Sequence, residues 1–278
     1  MNISNKVSKP LMWSSTVLLA AVLSACGGSS GGGVAAGSGL GAVGAVCSGA
    51  SCVNLGAAGN YAILAKTNVS TVPNSVVTGN VAVSPAARTF LTGWSLITEP
   101  TDTSFGSAQV SGRLFAADNV GGTTAVNLTT AVGDMGTAYT AAVGLAPAGG
   151  GIGAGACPGA GIFSGLTVVP GVYTCTAAVS IAAGTNLTLN GTATDVWVFR
   201  MAGGYTQAAA TQVILTGGAL PQNVFWVSAA TVTVGATAKM QGVVLSQTDI
   251  VMGAGSTENG RLLAQTAVTL NGTTVTQP

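Results

Sequence analysis

The chain repeats a unit of three short apolar runs separated by small or polar residues. Residues 223–241, 242–259 and 260–278 align on their opening positions with a period of eighteen or nineteen residues, and residues 195–218 follow the same frame. Residues 61–80 repeat it again, far away along the chain. A β-solenoid needs one strand for each side and a small residue at each corner, so this period predicts a mainly β, three-sided parallel β-solenoid.

The first run of each unit is apolar at consecutive positions, as in VFWV from Val224 and LLA from Leu262. A strand of this kind is buried on both faces, so this side of the solenoid needs a cover. Residues 129–146 are the expected cover, because they predict a helix with an apolar stripe formed by Met135, Ala138, Tyr139 and Ala142. Residues from about 90 to 128 lack the repeat and are expected to cap one end of the solenoid.

The second run alternates, with pairs such as Val232 and Val234 pointing inward. This side is therefore predicted to face water. In the alignment its outward positions are Asn68, Ser70, Ala178, Ser180, Tyr205, Gln207, Thr231, Thr233, Asp249, Val251, Ala267 and Thr269. The third run is an alternative threonine-bearing surface, through Thr188, Thr237, Thr257, Thr273 and Thr274. The cleaner alternation favours the second run.

Charge and titratable chemistry are scarce in this chain. Its 278 residues include 8 Lys+Arg, 7 Asp+Glu and no His, and the basic residues beyond the N-terminus are scattered, so a nucleic acid partner is not expected. A polysaccharide lyase or hydrolase on a β-helix would need clustered carboxylates, Arg or Lys, or a metal. The acidic residues Asp134, Asp195, Asp249 and Glu258 are mostly far apart, and Asp134 and Asp195 suit capping or corner roles. We expect no enzyme activity and no cofactor.

The N-terminus has the pattern of an export signal. Lys6 and Lys9 precede the apolar stretch LMWSSTVLLAAVL, which is short for a membrane span. The stretch ends in LSAC, which resembles a bacterial lipobox with Cys26 as the lipidated residue; an ordinary secretory signal is the alternative. Residues 1–25 are then a signal peptide, residues 26–51 a Gly/Ser/Ala-rich tether and residues 52–278 the folded domain.

Four further cysteines, Cys47, Cys52, Cys157 and Cys175, suit an oxidising compartment. Three connectivities are possible among them. Proximity favours Cys47 with Cys52 and Cys157 with Cys175. A metal site finds no support, since the chain has no histidine and no Cys-x-x-Cys pair.

Several stretches, in order, resemble the ice-binding proteins built as a discontinuous β-solenoid with a long helix alongside. They include VNLGAAGNYAILAKTNVSTVP from Val53, GNVAVSP from Gly79, DMGTAYTAA from Asp134, LTVVPGVY from Leu166 and DVWVFRMAG from Asp195. The resemblance covers residues 53–276. It implies a right-handed solenoid that the chain begins, leaves for the cap and helix, and later completes, which agrees with the distant repeat at residues 61–80.

The resemblance also implies that the protein adsorbs to ice, inhibiting its growth and recrystallisation through a regular grid of small outward side chains. The expected ice-binding set on the second run is Asn68, Ser70, Ala178, Ser180, Thr231, Thr233, Val251, Ala267 and Thr269. The expected partners are ice and, through the lipid anchor, a membrane, with the protein a monomer at the outer membrane or cell surface, or secreted if the lipobox is not used. A surface adhesin or structural solenoid without ice activity is the alternative.

Overall fold

The structure is a computed structural model that describes Met1 and residues 52–72, 75–146 and 155–278. These residues, apart from Met1, belong to one compact unit, Gly39–Pro278. The predicted signal peptide, the lipobox Cys26, the tether and Cys47 lie outside the described residues. Within the described ranges, no helix has the length and apolarity that crossing a membrane requires.

Residues 52–72 and 75–146 form eight short strands and one α-helix. The strands are β1 (Ile63–Ala65), β2 (Asn68–Val72), β3 (Val76–Thr78), β4 (Val81–Val83), β5 (Leu91–Thr92), β6 (Ile97–Thr98), β7 (Phe105–Gly106) and β8 (Leu114–Ala116). Helix α1 follows at Thr124–Gly144. Short 3-10 helices occur at Gly56–Asn60, Arg88–Phe90, Pro158–Gly161 and Pro221–Asn223.

Residues 155–278 form fourteen strands. They are β9 (Thr167–Val168), β10 (Gly171–Cys175), β11 (Val179–Ile181), β12 (Leu187–Asn190), β13 (Trp197–Met201), β14 (Tyr205–Gln207), β15 (Val213–Thr216), β16 (Val224–Ser228), β17 (Val232–Val234), β18 (Lys239–Ser246), β19 (Ile250–Met252), β20 (Thr257–Ala264), β21 (Ala267–Asn271) and β22 (Thr274–Thr276).

These strands stack into the three sides that the repeat predicts. The first side runs β10-β13-β16-β18-β20-β1-β4-β8, and the second runs β11-β14-β17-β19-β21-β2-β5. The third side combines β9, β12 and β15 with the opening halves of β18 and β20 and with β22 and β3. All these pairings are parallel, so the fold is a parallel β-solenoid.

The first coil of the chain lies directly beside the last one. Strand β1 pairs with β20, β2 with β21 and β3 with β22, each in parallel register. On the other flank β1 pairs with β4, whose partner β8 leads into the antiparallel strands β7 and β6 of the cap. The solenoid is therefore discontinuous in sequence, and the similarity of residues 61–80 to the C-terminal coils reflects their contact.

Helix α1 covers the first side, as the consecutive apolar positions predict. A cluster apart from the main core joins the helix to outward residues of the first side such as Leu64, Val198 and Leu263. The buried stripe of the helix is Leu128, Ala131, Met135, Ala138 and Ala142. Burying a large apolar side chain contributes about 1.5–3 kcal/mol, so packing offsets the weak helix propensity of the three glycines in α1.

The helix begins at Thr124, five residues before the predicted start, so part of the segment assigned to the cap is helical. Leu128 explains the difference, because it extends the buried stripe one turn toward the N-terminus. The next two threonines do not end the helix: Thr129 and Thr130 donate hydrogen bonds to the carbonyl oxygens of Ala125 and Val126. The first turn is also held by Thr124, whose Oγ1 donates to Thr103 O over 2.8 Å.

The interior between the three sides is packed with aromatic rings. Phe199 stacks on Trp226 with ring centroids 4.7 Å apart, and Tyr173 stacks on Phe199 at 5.5 Å. Next to these rings, Cys157 and Cys175 form a disulfide, which confirms that pairing. Cys52 is also disulfide-bonded, but because Cys47 lies outside the described residues its pairing with Cys52 stays a prediction.

Candidate functional site

The outward surface of the seven-stranded second side is the candidate site, and we call it the second face. Its strands β11, β14, β17, β19, β21, β2 and β5 are neighbours in one parallel sheet. Neighbouring strands lie about 4.8 Å apart, and alternate residues of one strand about 6.7 Å apart. Side chains in register therefore form a two-dimensional grid with these spacings.

The central column of this grid runs unbroken over eight positions. Register links join them in the order Ile162, Ser180, Thr206, Thr233, Val251, Thr269, Ser70 and Thr92. At the usual strand spacing the column is about 34 Å long. Every member is uncharged, and six of the eight carry a hydroxyl. Six of the eight are β-branched threonine, valine or isoleucine, whose χ1 is restricted.

All nine residues predicted from the second run lie on this face. Ser180, Thr233, Val251, Thr269 and Ser70 belong to the central column. The others occupy the column two residues earlier in each coil, where Asn68 pairs with Ala267; this set is Asn68, Ala178, Thr231 and Ala267. Each of the nine is exposed or half-buried. The structure therefore brings together residues that are up to 201 positions apart in the chain, as Asn68 is from Thr269.

The alignment was wrong by one residue in β14, where it placed Tyr205 and Gln207 outward. Both are buried, with 0 % and 1 % exposure, and Thr206 between them is exposed. The Tyr205 ring packs against Trp226 at 4.9 Å, and its hydroxyl donates to Gln207 Oε1 over 3.2 Å. Gln207 Nε2 donates to the carbonyl oxygens of Thr211 and Lys239. These buried polar groups have internal partners, so their polarity does not force them outward.

Three members of the central column were not predicted, namely Thr206, Thr92 and Ile162. Thr206 was missed through the register error, although its position between two residues that match Val232 and Val234 could have revealed it. Thr92 lies in a segment without the repeat, and its pairing with Ser70 comes only from the fold. Ile162 is 60 % exposed and extends the column through a single bridge to Ser180.

Asp249 is the one charged side chain in the columns of the second face that the described residues form. Its carboxylate accepts hydrogen bonds from Thr266 Oγ1 and from the backbone N–H of Ala267, the latter over 3.1 Å. Thr266 lies in the corner of the next coil, and Ala267 is the first residue of its strand β21. The carboxylate therefore ties two neighbouring coils together beside the grid.

The core directly behind the second face is apolar and closed. Val69, Val232, Ile250 and Val268 are fully buried beneath the outward columns. At the capped end, the Trp94 indole N–H donates to Val69 O over 2.9 Å. A close-packed interior and a continuous ladder of backbone hydrogen bonds hold the outward side chains in fixed relative positions.

The third side is less suited to be such a grid. Thr273 is fully buried, and Thr237 lies in a corner with φ of 55°. Thr188 and Thr257 are half-buried and Thr274 is exposed, but Lys239 projects in the same column as Thr257 and Thr274. The sheet is also weakly connected at this point, because an isolated β-bridge between Gln212 and Lys239 joins the β15 segment to β18.

Asp134 and Asp195 accept hydrogen bonds from the backbone, in keeping with their predicted capping or corner roles. Asp134 Oδ2 accepts the N–H of Ala57 over 2.7 Å, which fastens helix α1 to the 3-10 helix at Gly56–Asn60. Asp195 Oδ2 accepts the N–H and the hydroxyl of Thr192 at a coil corner. Within the described ranges, His, Cys, Asp and Glu form no group of three or more that could hold a metal ion.

A family model described as "Ice-binding-like" matches residues 63–276, which is most of the chain. The chain belongs to this ice-binding-like family. An ice-binding protein from Flavobacterium frigoris is 41 % identical over 231 residues, covering 81 % of this chain and 76 % of the relative. Ice-binding protein K1-A from Typhula ishikariensis is 48 % identical over 201 residues, covering 72 % of this chain and 79 % of the relative.

Solved structures show the same architecture. The ice-binding protein LeIBP from an Arctic yeast superposes with a TM-score of 0.77 at 39 % identity, covering 83 % of this chain and 96 % of the yeast chain. The match places this chain in a family of ice-binding-like proteins and not in an enzyme family.

Proposed function

We propose that this chain binds the surface of ice crystals through the second face and thereby inhibits ice growth and recrystallisation. The ice-binding relatives and the structural match to an ice-binding protein support ice as the ligand. The observation that carries the choice of face is the unbroken, uncharged central column, which runs over eight positions on one parallel sheet.

The side-chain chemistry of this column suits ordered water. A threonine hydroxyl donates one hydrogen bond and accepts others, so it can anchor a bound water. Its methyl group limits hydration of the surroundings, and its β-branch restricts χ1. Ordered waters held at spacings of about 4.8 Å in one direction and about 6.7 Å in the other would match the spacings of an ice lattice. The mobile water around long charged side chains would match them less well.

Hydrogen bonds between neighbouring hydroxyls support this arrangement. Ser70 Oγ donates to Thr269 Oγ1 over 3.3 Å, and the hydroxyl oxygens of Thr231 and Thr248 lie 3.2 Å apart. Such contacts between adjacent coils restrict the orientations of the hydroxyl groups in the unbound protein. Less side-chain entropy is then lost on binding.

Ice-affinity partition of the compact unit Gly39–Pro278 tests the proposal. The protein is expected to enrich in a slowly grown ice phase and, at micromolar concentration, to shape single crystals in a nanolitre osmometer. Exclusion from the ice, with unmodified crystal growth, would instead favour the adhesin or structural alternative. Serum albumin in the same ice-growth run controls for passive trapping.

We further propose that the protein is exported and anchored by lipid at Cys26 on the outer membrane or cell surface, where it acts as a monomer. The lipobox-like LSAC and the Gly/Ser/Ala-rich stretch that follows it support this placement. Cells fed with labelled palmitate are expected to label the wild-type chain and not the Cys26→Ala variant. Equal labelling of both, or of neither, would contradict the lipid anchor.

A further inference from the structure

Glu258 is a buried carboxyl group that plays no part in the proposed ice surface. It lies in the opening half of β20 and is 1 % exposed. Neither Oε1 nor Oε2 has a hydrogen-bond partner among the described residues. A buried carboxylate without a donor or a cation is strongly unfavourable, so the state of this group needs a physical explanation.

The groups around Glu258 are apolar or neutral. Its ladder neighbours are Met240 on β18 and Val275 on β22, both fully buried. From β14, Tyr205 is the titratable residue that interacts electrostatically with it. Lys239 on β18 is exposed to solvent.

The nearby cation Arg261 does not pair with Glu258 either. It directs its Nε–H to Gly59 O, in the segment that packs against helix α1. The ion pairs found among the described residues are Arg88 with Asp102 and Asp118, and Arg113 with Glu99. Among the residues that the structure describes, Glu258 therefore has no cationic partner that would stabilise its ionised form.

The carbonyl oxygen of Gly242 lies beside this carboxyl group and is itself an acceptor. A Cβ atom built on Gly260 would lie 2.2 Å from Glu258 Oε1 and 1.7 Å from Gly242 O, so the two oxygens come close together beside Gly260. Two acceptors that meet in the interior repel each other unless a proton lies between them. Burial also raises the pKa of Glu258 well above its ordinary value of 4.5.

We propose that Glu258 is a carboxylic acid in the folded protein and donates its proton to the carbonyl oxygen of Gly242, so that rising pH weakens the fold. The acid then fixes the corner where β18 and β20 pass from the third side to the first, at the paired glycines Gly242 and Gly260. A glycine is required at position 260, because the oxygens occupy the space of a Cβ atom.

The sign of the pH effect follows from linkage. The folded protein holds this proton to a higher pH than the unfolded chain, so its stabilising contribution is complete below about 4.5 and is lost as the pH rises toward the folded pKa. One proton difference changes the folding equilibrium constant about tenfold per pH unit in that window.

Carbon-13 NMR of the chain labelled at glutamate carboxyls tests the protonation state directly, because the sequence contains two glutamates, Glu99 and Glu258. Near neutral pH one signal is expected at the chemical shift of a carboxylic acid. The Glu99→Gln variant assigns the signals, since Glu99 pairs with Arg113 at the surface. Two carboxylate signals near neutral pH in the folded wild-type chain would overturn the proposal.

Denaturant unfolding over a pH series tests the coupling. Glu258→Gln keeps a donor for Gly242 O but cannot ionise, so it is expected to remove the stability loss at rising pH, whereas Glu99→Gln keeps it. Parallel stability curves for wild type and Glu258→Gln would contradict the proposal. If Glu258→Gln does not fold, the NMR result on the wild-type chain still decides.

Discussion

The second and third sides of this solenoid are built from the same coils, and the strands of the third side carry more threonines, yet the two sides present different surfaces. The second face has one continuous uncharged column over eight coils. On the third side, Thr273 is buried and Lys239 lies in the outward column. The backbone connection between β15 and β18 is weak there, because it consists of an isolated β-bridge. The register and continuity of the outward residues, and not the number of threonines, therefore determine whether a side of this β-solenoid can present a regular grid.

The largest stability difference is expected between adjacent residues of β14. Tyr205→Ala removes a buried ring that packs on Trp226, so the free energy of unfolding should fall by about 3–5 kcal/mol. Thr206→Ala changes an exposed residue and should alter it by no more than about 0.5 kcal/mol. Denaturant unfolding measures both, and equal effects would show that the register of β14 is not the one described.

A smaller effect is expected at the coil corner beside the second face. Asp249→Ala removes the acceptor for Thr266 Oγ1 and Ala267 N–H and should lower the unfolding free energy by about 1–2 kcal/mol. Asp195→Ala removes a comparable corner acceptor for Thr192, away from this face. Ice recrystallisation assays are expected to show weakened activity for Asp249→Ala only. An equal loss of activity in both variants would indicate that Asp249 affects ice binding only through the stability of the fold.

The smallest effect is expected from removing the charge on the third side. Lys239 is exposed, so Lys239→Thr should change the unfolding free energy by no more than about 0.5 kcal/mol. It lengthens the threonine column next to Thr257 and Thr274. Because the second face is proposed to bind ice, crystal shaping should stay unchanged. A clear gain in thermal hysteresis would indicate that the third side contributes.

The architecture could be predicted from the sequence, because the period and the pattern of apolar positions indicate which strand residues are buried. Consecutive apolar residues at Val224 and Leu262 predicted the helix-covered side, and alternation at Val232 and Val234 predicted the open side. The start of α1 was missed since two threonines follow Leu128, and β-branched residues weaken the helix signal.

The finer features of the candidate site depend on tertiary contacts that no local pattern carries. The polarity of Tyr205 and Gln207 predicts that their side chains point outward. Inside the core, however, the two side chains form a hydrogen bond with each other, and Gln207 forms another with the backbone. Thr92 joins the central column only because the first coil packs beside the cap. The burial of Glu258 could not be predicted from the sequence either. A glutamate between threonine and asparagine has the local pattern of a surface position.

The most direct test of the account compares Thr206→Tyr on the second face with Thr274→Tyr on the third side. Both threonines are exposed, so both variants should fold as judged by circular dichroism. Ice-affinity partition and recrystallisation assays are expected to show that Thr206→Tyr loses most of the activity, because a bulky ring interrupts the central column, and that Thr274→Tyr keeps it. Full activity in Thr206→Tyr with loss in Thr274→Tyr would contradict the assignment of the ice-binding surface.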